Sequence, residues 1–280
     1  MKKILSLLFA LTMAVGLCAC GGTTDDASSD DTEPAGEPVV LKIAASPTPH
    51  AEILQQVVSI LAEQNITLEI TEYGDYVIPN TAVEEGDENA NYFQHGPYLD
   101  QFNKENGTHL VSVAKVHYEP MGVYAGMTAT LEELPDGAVI AVPNDATNEA
   151  RALLLLESLG LIELNHEAGL DATPNDITSN PKNLQFKELE AAMLPQTIEE
   201  VNLSVINANY ALQADLSPAE DALAIESSDS EAAQTYANII VVKEGDENNE
   251  AVLALIEAIQ SDAVRDFINE TYSGSVVPMF

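Results

Sequence analysis

The apolar positions of this chain change period in a regular alternation. Val39 to Ala45 is a short apolar strand, and Ile53, Leu54, Val57, Val58 and Leu61 then recur at helical spacing from Pro49-His50 to a stop near Asn65. Ile66 to Tyr73 returns to period two. The spacing predicts further helices over Asp75 to Val83 and Pro97 to Phe102, the second with Pro in its first turn and a stop at Asn106-Gly107. Val111 to Tyr118 reads as a strand running on through Met121-Gly122-Val123-Tyr124. The same grammar follows without sequence repetition: strands at Ala138 to Val142, Leu184 to Leu189, Val201 to Ile206 and Asn238 to Val242, a helix from Asn148 to Leu159, and a long terminal helix from Ala251 to Tyr272. Leu153 to Leu156 is flanked by Arg151 and Glu157, so it belongs to a core helix and not to a membrane span. Strands alternating with helices predict an α/β sandwich.

The chain opens differently. Lys2 and Lys3 precede an apolar run from Ile4 to Leu17, too short to cross a bilayer comfortably, and Leu17-Cys18-Ala19-Cys20 follows it. That ending resembles the lipobox of bacterial lipoproteins. Residues 1–19 are then a signal peptide and Cys20 the lipidated first residue of the mature protein. Cys18 fits less well, because Leu17 would fill the small-residue position. From Gly21 to Pro38 the chain carries Gly, Thr, Asp, Ser, Glu, Ala and Pro and no large apolar residue, so 20–38 is expected to be a disordered, lipid-anchored linker. The location implied is extracytoplasmic, with the membrane reached through the lipid alone.

Charge and cysteine content narrow the chemistry. A formal charge of −36 argues against nucleic acid and against direct adhesion to anionic lipid, both of which need basic patches. With Cys20 lipidated and Cys18 removed, neither of the 2 cysteines is left for a disulfide, a zinc site or a nucleophile. Gly-x-Ser-x-Gly, His-Glu-x-x-His, a phosphate-binding glycine loop and a dinucleotide turn are all absent, so neither an enzyme nor a cofactor is expected.

Two features carry candidate chemistry. Asn91-Tyr92-Phe93-Gln94-His95-Gly96-Pro97-Tyr98 gathers aromatics, amides and an imidazole on a loop entering a helix. Such groups either wall an apolar pocket with polar handles or seal the edge of a core. Arg151, with Arg265 one of two arginines, falls in the first turn of the helix opening near Thr147-Asn148, where the macrodipole disfavours a cation. A ligand carboxylate or a surface acid such as Glu149 would compensate it.

Pro47-Thr48-Pro49-His50-Ala51-Glu52-Ile53-Leu54, Asp75-Tyr76 with Pro79-Asn80, Phe93-Gln94-His95 with Pro97-Tyr98-Leu99, and Glu119-Pro120-Met121-Gly122 together resemble the NlpA family of methionine-binding lipoproteins of ABC importers. The similarity continues in order through Pro143-Asn144-Asp145, Thr147-Asn148-Glu149-Ala150-Arg151-Ala152-Leu153, Val205-Ile206-Asn207 with Asn209-Tyr210-Ala211, and Asn238-Ile239-Ile240-Val241. The resemblance implies a two-lobed periplasmic-binding-protein (type II) α/β fold with its ligand cleft between the lobes. One lobe would hold 39–122 and 241–280, the other 123–240. It further implies Tyr76, Phe93, His95 and Tyr98 around a methionine side chain, Arg151 on its carboxylate, and Asn207 and Asn238 on its backbone end. The partners would be an ABC permease and its ATPase. Tyr92, Glu88-Asn89 and Ala146 depart from the family's usual residues, and Tyr92 faces either the pocket or the core.

Ligands within the family include D-methionine and methionine dipeptides as well as L-methionine. A metal receptor would use His50, His95 and His117 with nearby acids. An exported hydrolase would rely on His95 with Asp100, the local acid and base candidate.

Overall fold

The computed structural model describes residues 37–228 and 231–280. The signal segment, Cys20 and all but the last two residues of 20–38 lie outside the described residues.

The apolar runs become the strands of two sheets. In chain order they are β1 (Val39–Ala45), β2 (Ile66–Glu72), β3 (Ala90–His95), β4 (Leu110–Tyr118), β5 (Gly122–Ala125), β6 (Val139–Pro143), β7 (Glu163–Leu164), β8 (Ile177–Ser179), β9 (Gln185–Leu189), β10 (Leu203–Ile206), β11 (Ala224–Ile225), β12 (Asn238–Lys243) and β13 (Val277–Pro278). The first sheet is ordered β13-β4-β12-β3-β1-β2 and the second β11-β5-β10-β6-β9, with β7 and β8 forming a separate pair. Parallel pairing of β1 with β2 and β3, and of β6 with β9 and β10, requires crossover helices on the sheet faces. The result is a two-lobed α/β fold, each lobe built on one sheet.

Burial follows the strand's place in its sheet. β3 lies between β1 and β12 and is buried at every residue, while β2 sits on an edge and alternates. The core of the first lobe joins Leu41, Ile43, Tyr92 and Ile240 to Ile53, Leu54, Leu61, Leu255 and Ile268 from its helices. The second lobe packs Ile140, Val142 and Val205 against Leu153 and Leu156 of the Ala146–Ser158 helix.

Four expectations are revised. Ala90–His95, read as a loop, is the fully buried strand β3; a strand covered on both faces loses the alternation that marks a half-buried one. The β4 strand does not run on, because Pro120 has no N–H for the ladder, and the chain crosses to the other sheet at Glu119–Met121. The terminal helix is two, Glu250–Ile259 and Asp262–Tyr272, with Ser261 capping the second. Gly122 pairs with Ile206 in the second sheet, and Asn238–Ile240 pair with His95, Gln94 and Tyr92 in the first, so the crossings lie a few residues from the expected ones.

Gly126 extends β5 where the chain is tightest. A Cβ there would stand 2.3 Å from the backbone oxygens of both Ile198 and Val201, which no side-chain rotation relieves. Gly126→Ala is expected to cost about 1–3 kcal/mol through forced backbone movement. Denaturant unfolding measures it, and an unchanged midpoint would mean that the 198–202 segment yields freely.

Candidate functional site

Both crossings, the C-terminal end of β3 and the start of two helices meet at one cavity between the lobes. Its wall includes Tyr76, Phe93, His95, Tyr98, Arg151, Asn207 and Asn238. All seven residues singled out from the sequence therefore face one space.

One end is aromatic. The Tyr76 ring lies 5.8 Å from Phe93 and 5.7 Å from Tyr98, and Phe93 lies 6.1 Å from Tyr98, so three rings stand mutually adjacent. Local structure fixes each. The Asp75 carboxylate accepts the N–H groups of Val77 and Ile78, holding the turn that carries Tyr76. Tyr98 occupies the first turn of the Gly96–Asn106 helix and donates its hydroxyl to the Tyr76 carbonyl. Tyr92 points away from this space, buried in the core with its hydroxyl on His117.

The other end is polar, and its protons can be placed. His95 caps the helix: its Nδ1 accepts the Tyr98 N–H at 3.2 Å, so Nε2 carries the hydrogen and donates to Asn148 Oδ1 at 3.1 Å. Burial, then the nearby Arg151, holds His95 down to about 3, a neutral imidazole at pH 7. Asn148 Oδ1 also accepts Asn207 Nδ2 at 2.8 Å, while Asn148 Nδ2 donates to the capping Asp145. Asn207 Oδ1 is consequently buried without a partner. Asn209 is set the opposite way. Its Oδ1 accepts the Tyr76 hydroxyl at 2.6 Å and its Nδ2 is left unpaired.

Contacts that bridge the sheets close the space. Tyr76 to Asn209, His95 to Asn148, and Tyr210 to the Gly74 carbonyl at 3.3 Å each join the first lobe to the second.

Arg151 differs from its expected setting. It stands in the second turn of the Ala146–Ser158 helix, and the acid that compensates it is Glu226, not Glu149. Nε lies 2.9 Å from Glu226 Oε1, and Nη2 lies 2.6 Å from Oε2 and 2.7 Å from the Glu119 carbonyl. The guanidinium also stacks 4.4 Å from the Tyr236 ring centroid. Burial works against both charges, yet each holds the other ionised: the guanidinium lies above its ordinary value and Glu226 below.

The proposed hydrolytic pair does not form. Both His95 nitrogens are engaged elsewhere, and Asp100 is exposed. The three candidate metal-binding histidines are split: His50 and His117 come together with Glu119, while His95 belongs to the cavity wall. No helix among the described residues is long and apolar enough to cross a membrane.

The NlpA lipoprotein model matches residues 41–280. The chain belongs to the NlpA lipoprotein family. Among NlpA relatives, the methionine-binding lipoprotein MetQ of Bacillus subtilis is 39% identical over 283 residues, covering 100% of this chain and 99% of MetQ. A lipoprotein of Ruminococcus gnavus has a crystal structure that superposes with a TM-score of 0.85 at 54% identity, over 86% of this chain and 99% of that one. A nutrient-binding protein of Burkholderia cenocepacia, solved bound to methionine, gives a TM-score of 0.81 at 42% identity, over 86% and 100%.

The Gln94 amide, offered with the aromatic run, lies in the cavity wall; sequence reasoning missed Glu119, Asn148 and Asn209 there, and Glu226 behind it. Asn148 and Asn209 lay inside quoted motifs, where an amide of small volume gave no sign of which way it faces. Glu226 had no signal at all, being one acid among 46 acidic residues.

Arg151→Ala strands a buried carboxylate and is expected to lower stability by about 3–5 kcal/mol. Replacing both Arg151 and Glu226 with Ala should recover most of that loss in urea unfolding. A double variant as unstable as the single one would mean that the pair contributes through packing alone.

Proposed function

We propose that the protein is an extracytoplasmic substrate-binding lipoprotein that captures methionine, L-methionine first, between its lobes and delivers it to an ABC importer. The observation that carries this reading is the division of one cavity into an aromatic triangle and a set of unmatched polar atoms. A thioether is polarizable and favours ring edges, which Tyr76, Phe93 and Tyr98 offer. A zwitterion needs both an acceptor for its ammonium and donors for its carboxylate. Asn207 Oδ1 and the Glu119 carboxyl group are on hand for the first, and Asn209 Nδ2, beside the positive charge of Arg151 in the same wall, for the second. The relatives named for methionine binding, and the Burkholderia structure that contains it, support the same reading.

The ligand-binding set in this reading is Tyr76, Phe93, His95, Tyr98, Arg151, Asn207 and Asn238. Arg151 serves as a charge held in the wall and not as a free bidentate clamp, since Nε and Nη2 already hold Glu226 and the Glu119 carbonyl. The mechanism is capture, closure and release, with no bond broken. Cys20 would carry the lipid that holds the protein at the outer face of the cell membrane. A separate permease and ATPase would receive the ligand and supply the energy.

The test is calorimetric titration of protein refolded to strip carried-over ligand, with L-methionine, D-methionine and glycyl-methionine in turn. One-to-one binding of L-methionine is expected. Silence with all three, in heat and in melting temperature, would sink the methionine reading.

Phe93→Ala should weaken methionine more than alanine as a competitor, because only methionine reaches the aromatic end. Equal losses for the two ligands would remove Phe93 from the side-chain pocket.

A further inference from the structure

Behind the cavity wall, five side chains form a continuous row of three hydrogen bonds and one ion-pair contact. The Tyr92 hydroxyl meets His117 Nδ1, and His117 Nε2 lies 2.6 Å from Glu119 Oε1. The same oxygen is 3.3 Å from His50 Nε2, which stands 2.9 Å from Asn238 Oδ1. Tyr92, His50 and His117 are wholly buried, and only Glu119 and Asn238 reach the cavity.

Simple valence fixes the direction of this row. Burial holds both imidazoles neutral, His50 down to about 4 and His117 to about 3. Both Nε2 atoms face Glu119, which also receives the Asn209 backbone N–H; burial raises this carboxyl group, while His50, Arg151 and that N–H favour the carboxylate form, in which it only accepts. His50 Nε2 therefore carries its hydrogen, and its Nδ1 keeps a lone pair, buried without a partner. The atom of Asn238 beside Nε2–H must be an acceptor. Oδ1 turns to His50, which leaves Nδ2 as the donor end of an amide that lines the cavity. A flipped Asn238 amide would set N–H against N–H in a dry site. Pairing of Asn238 with His95 and His117 at the start of β12 pins the backbone, leaving that flip as the amide's main freedom.

An amino acid has one strong acceptor to offer an amide N–H, its carboxylate. We infer that His50 is a positioning residue: by donating Nε2–H to Asn238 Oδ1 it turns the Asn238 NH2 toward the ligand's α-carboxylate. Glu119 selects the tautomer of His50, and Tyr92 and His117 hold Glu119 in place. This rests on the amino-acid reading above and adds which end of the ligand Asn238 reads and what makes it do so.

The same cluster holds three atoms of metal-ligand type within 4.8 Å of one another. The 2.6 Å contact from His117 to Glu119 is a charge-assisted hydrogen bond, whereas two ligands of a tetrahedral zinc with bonds of about 2.0–2.1 Å stand about 3.3 Å apart.

The experiment uses the full chain, stripped of ligand, with L-methionine titrated into variants. His50→Leu keeps bulk without the donor and should weaken binding about tenfold, the size of one buried hydrogen bond, while His50→Gln, with an amide N–H at the Nε2 position, restores most of the affinity. In an Asn238→Ala background the two His50 variants should bind alike. Equal losses in Leu and Gln, or a His50→Leu loss undiminished beside Asn238→Ala, would overturn the assignment. Asn238→Asp supplies an independent reading where His50→Leu does not fold: facing the ligand carboxylate it should lose more than tenfold, and retained affinity would show that Asn238 reads the ammonium. A zinc-induced rise in melting temperature abolished by His50→Gln would also overturn it, since one Nε2 cannot both coordinate and donate. Failure of the unsubstituted protein to bind methionine would strike the proposed function itself.

Discussion

The buried pair of Arg151 and Glu226 is the constraint on which the rest of the site depends. Arg151 comes from a helix of the second lobe, Glu226 from the segment that returns the chain to the first, and Glu119 from the segment that leaves it. The guanidinium holds the Glu226 carboxylate and the Glu119 carbonyl at once, while Glu226 also receives the Tyr118 hydroxyl and the Met121 N–H. One ion pair thus ties both crossings to the floor of the cavity. Its Coulomb attraction is set against a large desolvation cost, so the geometry must be near ideal and the remaining lone pairs filled. They are filled, by Tyr118 and Met121 on the outgoing crossing.

With that charge already matched, the cavity meets a zwitterion largely with neutral groups. Neutral imidazoles and amides cost far less to bury than ions do, and each can be aimed by a partner behind it. Asp145 orients Asn148, Asn148 orients Asn207, and Tyr76 orients Asn209. Each chain ends in an amide with one end fixed and the other open, Asn207 at Oδ1 and Asn209 at Nδ2. Such preorganisation means that little rotational freedom is lost when a ligand arrives.

What the sequence made legible was the scaffold and the identity of the wall; what it hid was direction and partnership. The period-two and helical runs gave most strands and helices at nearly their observed limits, because each buries one face. β3 was lost for the opposite reason, burial on both faces. Ser261 broke a helix that composition alone continued. Among the wall residues, the aromatic run stood out in a chain with only 6 Phe and 9 Tyr. Glu119 and Glu226 did not, since an acid that will be buried looks like any exposed one until folding brings its partners to it. The histidines showed the same limit: three separate segments gave no hint that His50 and His117 share Glu119 while His95 faces elsewhere.

The matched charge of Arg151 has an evolutionary consequence. A receptor whose only buried cation in this wall is already neutralised has little long-range pull on anions, and it selects by shape and by the few atoms left unpaired. The pair is also a latent charge. A single change at Glu226 to an uncharged residue of similar volume would expose a fixed, desolvated guanidinium to the cavity without altering any wall residue. The scaffold thus keeps a full positive charge in its wall silent by means of one residue behind it, at the cost of a stability that depends on keeping both.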